Sequence, residues 1–299
     1  MKSILHWLKF DKENRNFYKS ELLLLRFFAM TIFWGRAWQH LFWDIPFRTF
    51  FWDESLLTPI VNFFGSTWDA YISDMRIAFW QESIVQLIGV FYFALGILVY
   101  FATRERKWIK SLLWLGSFLL FCLSLLYWKE QFYRIGQLIE YTIQWFTPIL
   151  LIIAVYHLPN NFNFRLILKT AIALTFIGHG LYAFGAYPIP GSFMEMTIEG
   201  FRLNDDEARY LLKIAGVLDF VAAFSLFLPY VHKPALLYCI VWGFATAFAR
   251  IVVNFDYQFP IETTHQWLHE TIYRLPHGGI PLLLFILLSD SKTPLLSRS

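Results

Sequence analysis

The chain has 299 residues, of which 57% are hydrophobic, 20% aromatic and only 16% charged, with a mean hydropathy of +0.47. A soluble domain cannot cover so apolar a surface with so few charges, which excludes a water-soluble fold and points to an integral membrane protein. The net charge of +3 is a small excess that belongs mostly to the loops of one face, so it speaks for topology and lipid-headgroup contact and against nucleic-acid binding.

Residues 1–20 are expected to be a cytoplasmic amphipathic segment, with Ile4, Leu5, Trp7, Leu8 and Phe10 turned to lipid. No cleavable signal is expected, because the first long apolar run contains Arg26 and Arg36 and has no small-residue cleavage site after it. A hydrocarbon core needs about 20 helical residues. Eight stretches are predicted to cross it, near 21–43, 82–102, 110–128, 135–157, 165–187, 209–230, 234–254 and 273–290, the last interrupted by Pro276, Gly278, Gly279 and Pro281. Residues 291–299 form the predicted cytoplasmic tail. The expected fold class is an all-α integral membrane protein of about eight transmembrane helices in two four-helix repeats, with extracytoplasmic interfacial lid helices.

Cytoplasmic loops hold an excess of Lys and Arg. Lys2, Lys9, Lys12, Arg15 and Lys19 precede the first span, Arg104, Arg106, Lys107 and Lys110 fill the second connection, and Arg165, Lys169, Lys233, Lys292 and Arg298 fall on the same side. Both termini are therefore predicted to be cytoplasmic, in a multi-pass plasma (inner) membrane protein. The opposite connections, 44–81, 188–208 and 255–272, are acidic and rich in aromatics such as Phe42, Trp43, Phe47, Trp52 and Trp68, which suits helices lying in the interface. Cys122 and Cys239 lie inside predicted spans without a Cys-x-x-Cys pair, which speaks against disulfide exchange.

The second half restates the first. Leu25-Arg26 leading to Gly35-Arg36 and Pro46 corresponds to Leu168-Lys169 leading to Gly178-His179 and Pro188, and the fourth spans align Pro148 with Pro281, Gln137 with Glu270 and Gln144 with His277. The expected units are residues 21–157 and 165–290, and repeats of spans commonly place a site at their interface.

Arg36, His40, Glu82, Glu140, His179, Asp219, Arg250 and His277 all fall toward the outer ends of predicted spans. A charge at membrane depth costs roughly 2.5–3.5 kcal/mol on insertion scales, so the pattern predicts an outward-open polar pocket. In it Arg36 and Arg250, with His40 and Tyr182, are the expected substrate-binding residues, while His179, Glu140 and Asp219 are the expected catalytic proton carriers. Trp34, Trp38, Tyr92, Tyr141, Trp145 and Tyr182 would line it for a flat ring; the competing reading is structural ion pairs and simple helix packing.

Glu262, His265 and His269 share one helical face at i, i+3 and i+7, with His277 as a fourth ligand, which is a donor set for a divalent metal. The competing reading is an interfacial helix carrying a Glu270–Arg274 pair. Haem would need His179 with His40 or His277, and these histidines lack a same-helix spacing for it. The inner halves of the spans are apolar apart from Arg26 and Lys169, which speaks against a conducting path.

The stretches Gly178-His179-Gly180-Leu181-Tyr182-Ala183, Leu212-Lys213-Ile214-Ala215-Gly216-Val217-Leu218 and Ala247-Phe248-Ala249-Arg250 resemble the DoxX-like family, which includes the small membrane subunit of a thiosulfate:quinone oxidoreductase. The resemblance covers about residues 165–290 and, more loosely, 21–157; it implies a membrane component of a redox system that takes a quinone or a similar amphipathic carbonyl compound. Two alternatives stand beside it: a noncatalytic membrane partner or assembly subunit docked to an extracytoplasmic or membrane protein, and an organic-anion transporter.

Overall fold

The structure is a computed structural model that describes residues 19–157 and 161–290. The predicted tail 291–299 and all but the last two residues of the predicted amphipathic segment lie outside the described residues.

In chain order the helices are α1 (Lys19–Phe42), α2 (Arg48–Phe51), α3 (Glu54–Phe63), α4 (Trp68–Ser73), α5 (Met75–Leu98, continued by a 3₁₀ turn to Phe101) and α6 (Lys107–Glu130). They continue as α7 (Ile135–Glu140), α8 (Thr142–Ile152, continued by a π turn to His157), α9 (Asn161–Phe184), α10 (Gly191–Phe201), α11 (Asp205–Ser225), α12 (His232–Val253), α13 (Pro260–Arg274) and α14 (Pro276–Asp290). No strand occurs among the described residues.

Six stretches are long and apolar enough to cross a membrane: Met75–Phe101, Lys107–Glu130, Ile135–His157, Asn163–Phe184, His232–Val253 and Pro260–Ser289. The chain is thus an all-helical, multi-pass membrane protein. The predicted spans at 21–43 and 209–230 are also helical, as α1 and α11, but stand outside the six. Their polar residues fall within the helix itself, Arg26, Arg36, Gln39 and His40 in one and Arg209, Lys213 and Asp219 in the other.

Two boundaries differ from the sequence expectation. The second span begins at Met75, because the Asp74 side chain accepts from Arg76 N at 2.8 Å and caps the helix there. Glu82 consequently lies inside the helix rather than at its start, 3.8 Å from Arg48 and with its side chain 59% exposed. The predicted outer connection 255–272 is mostly α13, which packs lengthwise on α1 and α12.

α1 and α9 occupy the centre of the bundle. α1 buries Leu25, Phe28, Ala29, Ile32, Phe33 and Arg36 at the i, i+3, i+4 spacing of a single helical face, and packs on α5, α8, α13 and α14. α9 packs in its turn on α11, α7, α8 and α14. The fourth-span helices α8 and α14 each contain a proline, Pro148 and Pro281. A proline has no N–H for the carbonyl four residues earlier, so the backbone oxygens of Gln144 and His277 are released from the helix ladder.

At the end of the bundle that carries the basic connections, arginines close helix C-termini. Arg26 Nη2 donates to Ala102 O at 2.7 Å, Arg104 Nε to Val155 O at 3.2 Å, and Arg165 Nη2 to Leu287 O at 2.7 Å. Each satisfies a terminal carbonyl that has no partner within its own helix.

At the other end, α3 is tied down by one ion pair. Asp53 caps α3 through Leu56 N and binds Lys129 Nζ of α6. The Lys129 ammonium, helped by the Ser55 hydroxyl and the Leu56 amide, holds the Asp53 carboxyl below the usual carboxylate range. A depressed carboxylate contributes above its unfolded pKa and is lost only as pH falls through the lower folded value. The tie should therefore persist at neutral pH, and Asp53→Asn should raise hydrogen exchange in α3 there; exchange equal to wild type would show that α3 is held by its apolar face alone.

Candidate functional site

The local reason for the site is the Gly178-His179-Gly180 triplet of α9. A Cβ on Gly178 would lie 2.5 Å from Glu140 N and 2.6 Å from Gly136 O, both backbone atoms of α7. On the opposite side, a Cβ on Gly180 would lie 3.1 Å from both Asp219 Cβ and Gly216 O of α11. Small residues let helix backbones approach this closely, so α9 is wedged between α7 and α11, with His179 between Glu140 and Asp219.

His179 Nδ1 lies 2.9 Å from Asp219 Oδ2, and Tyr238 Oη of α12 donates to Asp219 Oδ1 at 2.8 Å. Asp219 is fully buried. Both carboxylate oxygens are thereby engaged, and a carboxylate on Nδ1 fixes the orientation of the imidazole. The other ring nitrogen, Nε2, has no hydrogen-bond partner among the described residues.

The third wall is a charge cluster of α12 and α13. Glu270 Oε2 lies 2.8 Å from Arg250 Nη1 in an ion pair and accepts from Arg274 Nη1 at 2.9 Å. Arg250 is 7% exposed, and its Nε is buried without an acceptor. His277, at the start of α14, turns Nδ1 to Arg274 O at 2.9 Å.

These groups enclose a cavity of about 130 Å³. Its polar walls are Glu140, His179, Arg250, Arg274, His277 and Thr246, and its apolar walls are Phe193, Met196 and Phe201 of α10, Leu212 of α11 and Trp242 of α12. The Glu140 side chain makes no hydrogen bond to any described residue. A small crevice bounded by His179, His277, Thr175 and Thr246 continues from it.

Arg36 belongs to a neighbouring, filled cluster. Its guanidinium donates to Gln39 Oε1 at 2.6 Å and to Gln144 Oε1 through Nε at 3.1 Å and through Nη2. It lies 3.8 Å over the Tyr273 ring, with Tyr141 and Tyr127 at 5.2 and 5.6 Å. Arg36 is fully buried, and among the described residues no carboxylate pairs with it. Amide oxygens and aromatic faces are what stabilise the cation here.

Of the sequence-predicted residues, His179, Glu140, Asp219, Arg250 and His277 converge on this cavity and its hydrogen-bonded wall. Arg36, His40 and Tyr182 do not line it. His40 bonds its own helix, Nδ1 to Arg36 O at 2.7 Å, and packs edge-on against Tyr92. Tyr182 is buried against Tyr187. Nor do the expected ring-binding aromatics line the cavity; Phe193, Phe201 and Trp242 do.

The predicted metal set is dispersed. Glu262 is exposed, His265 is clasped by Trp38, Phe42 and Trp43, His269 packs between Trp43 and Tyr273, and His277 faces the cavity. Among the described residues no group of three His, Cys, Asp or Glu side chains is placed to hold a metal ion. The reason is that α13 lies along α1, which fills its histidine face with aromatic rings.

Sequence reasoning missed Arg274 as a cavity residue and treated it only as the helical partner of Glu270. Its position one turn after Glu270 and just before Pro276 was the available signal. Comparison with known protein families, with curated proteins and with solved structures finds no match for this chain.

Proposed function

We propose that this chain is an eight-span membrane protein built from two repeated four-helix halves, and that its outward-facing cavity binds a quinone or similar amphipathic carbonyl compound as a DoxX-like component of a redox system. The observation that carries the reading is the meeting, on one cavity, of an imidazole oriented by a buried carboxylate and an arginine whose Nη2 makes no hydrogen bond to any described residue.

The repeat is supported by matching contacts. A Cβ on Gly35 would meet Tyr273 N at 2.8 Å and His269 O at 2.9 Å, as one on Gly178 would meet Glu140 N and Gly136 O. Tyr273 stands four residues after His269, as Glu140 stands four after Gly136. Arg36 bonds Gln144, four residues before Pro148, and His179 shares a crevice with His277, four before Pro281.

In this reading Arg250 donates to the carbonyl oxygen, a charge-assisted bond that strengthens as negative charge develops there. His179 exchanges a proton at Nε2 while Asp219 and Tyr238 hold its ring, and Glu140 is a second proton acceptor. The volume suits a head of about one six-membered ring, since an apolar cavity of about 150 Å³ takes up benzene. Phe193, Met196 and Phe201 provide the apolar side for a tail.

The test is titration of the purified protein with a short-chain 1,4-benzoquinone, alongside mass spectrometry of co-purified lipids. Arg250→Gln and His179→Asn are each expected to weaken binding about tenfold or more, the equivalent of about 1.4 kcal/mol. Wild-type affinity in both variants would sink the proposal.

A further inference from the structure

The charge inventory of the site narrows the ligand further, resting on the reading of the cavity as a ligand site. Arg36, Arg250 and Arg274 form one connected cluster. The Tyr273 ring lies between two guanidiniums, with Arg36 at 3.8 Å and Arg274 at 4.7 Å from its centroid, and Arg274 shares Glu270 Oε2 with Arg250.

A guanidinium stays protonated inside proteins, so these are three fixed positive charges. Among the described residues Glu270 is the only carboxylate within ion-pairing range of any of them. The acceptors around Arg36 are neutral amides and rings. Glu140, on the cavity wall, is the second carboxylate. His179 and Asp219, taken as an ion pair, add none. One positive charge is left over in a region where uncompensated charge is expensive.

Two of the three cations, Arg250 and Arg274, line the cavity, and Arg250 Nη2 makes no hydrogen bond to any described residue. A neutral carbonyl would satisfy that N–H but leave the charge. A carboxylate satisfies both, and the planar fork of arginine matches it. We propose that the natural ligand is an amphipathic monoanion, a carboxylic acid whose ionised head sits at Arg250 and whose apolar part runs along Phe193, Met196 and Phe201.

The experiment is thermal unfolding of the detergent-purified protein with octanoate, octanol or a short-chain benzoquinone at equal concentration. Octanoate is expected to raise the midpoint by about 2–4 °C or more, octanol not at all, and the octanoate shift should vanish in Arg250→Gln. Ala249→Leu, which fills the cavity and leaves every charge in place, should abolish it too, so the result does not hang on how the arginine variant folds.

Equal shifts with octanoate and octanol would overturn the charge argument. A response to benzoquinone alone would overturn the acid while leaving the cavity reading in place. No response to any of the three would overturn both, and an octanoate shift that survives in Ala249→Leu would place binding elsewhere and overturn the assignment.

Discussion

Glu270→Ala should unfold at a much lower denaturant concentration than the wild-type protein, with a loss of about 3–5 kcal/mol. One carboxylate oxygen is paired with two guanidiniums, Arg250 at 2.8 Å and Arg274 at 2.9 Å. Removing it strands two buried cations side by side, whereas removing either arginine leaves a complete pair behind. Arg274→Leu should therefore cost less than Glu270→Ala, and the double variant less than the sum of the two singles, because neighbours in one network are not additive. Denaturant unfolding in micelles measures all three. A Glu270→Ala protein within about 1 kcal/mol of wild type, the scale of a solvent-exposed pair, would mean that water reaches the cluster and screens it.

Gly178→Val should be the most damaging single change to the cavity itself. The added Cβ would stand 2.5 Å from Glu140 N and 2.8 Å from Glu140 Cα. Those are backbone atoms and cannot rotate away as a side-chain tip can. Overpacking of this kind costs typically about 1–3 kcal/mol, and here the relief available is separation of α7 from α9, which carries Glu140 away from His179. Loss of ligand binding should accordingly exceed the loss of stability. Gly191→Ala is the matched control, since nothing lies within 4 Å of a Cβ there. If Gly178→Val and Gly191→Ala behave alike in both measurements, close approach of α7 and α9 is not what builds the site.

Much of this site was legible in the chain because lipid makes polar residues conspicuous. His179 between two glycines, Asp219 in an otherwise apolar run and Arg250 near the end of another stand out against their surroundings, and the structure brings all three to one place. Arg36 was equally conspicuous but lies in the filled cluster. Hydropathy reports that a residue is costly, not whether Gln39, Gln144 and Tyr273 already satisfy it. α13 misled for a related reason: with His265, His269, Glu270 and Arg274 it has the pattern of an interfacial helix. Its packing against α1, through Gly35 and the aromatic clasp on His265, depends on contacts more than 200 positions apart along the chain. No local window contains that information. The extra turns of α5 were readable in principle, since Asp74 followed by a helical run is a cap signal.

The three arginine ties, Arg26 to Ala102, Arg104 to Val155 and Arg165 to Leu287, give the bundle the mechanics of tongs riveted at one end. A splaying of the helices about that end would be smallest at the rivets and largest at the far end. Along a helix of 24 residues, about 36 Å at 1.5 Å per residue, a tilt of about 5° displaces the far end by about 3 Å, close to the width of a water molecule. On the proposed reading, a ligand would enter and leave at the cavity end with no helix unfolding and no change at the basic face.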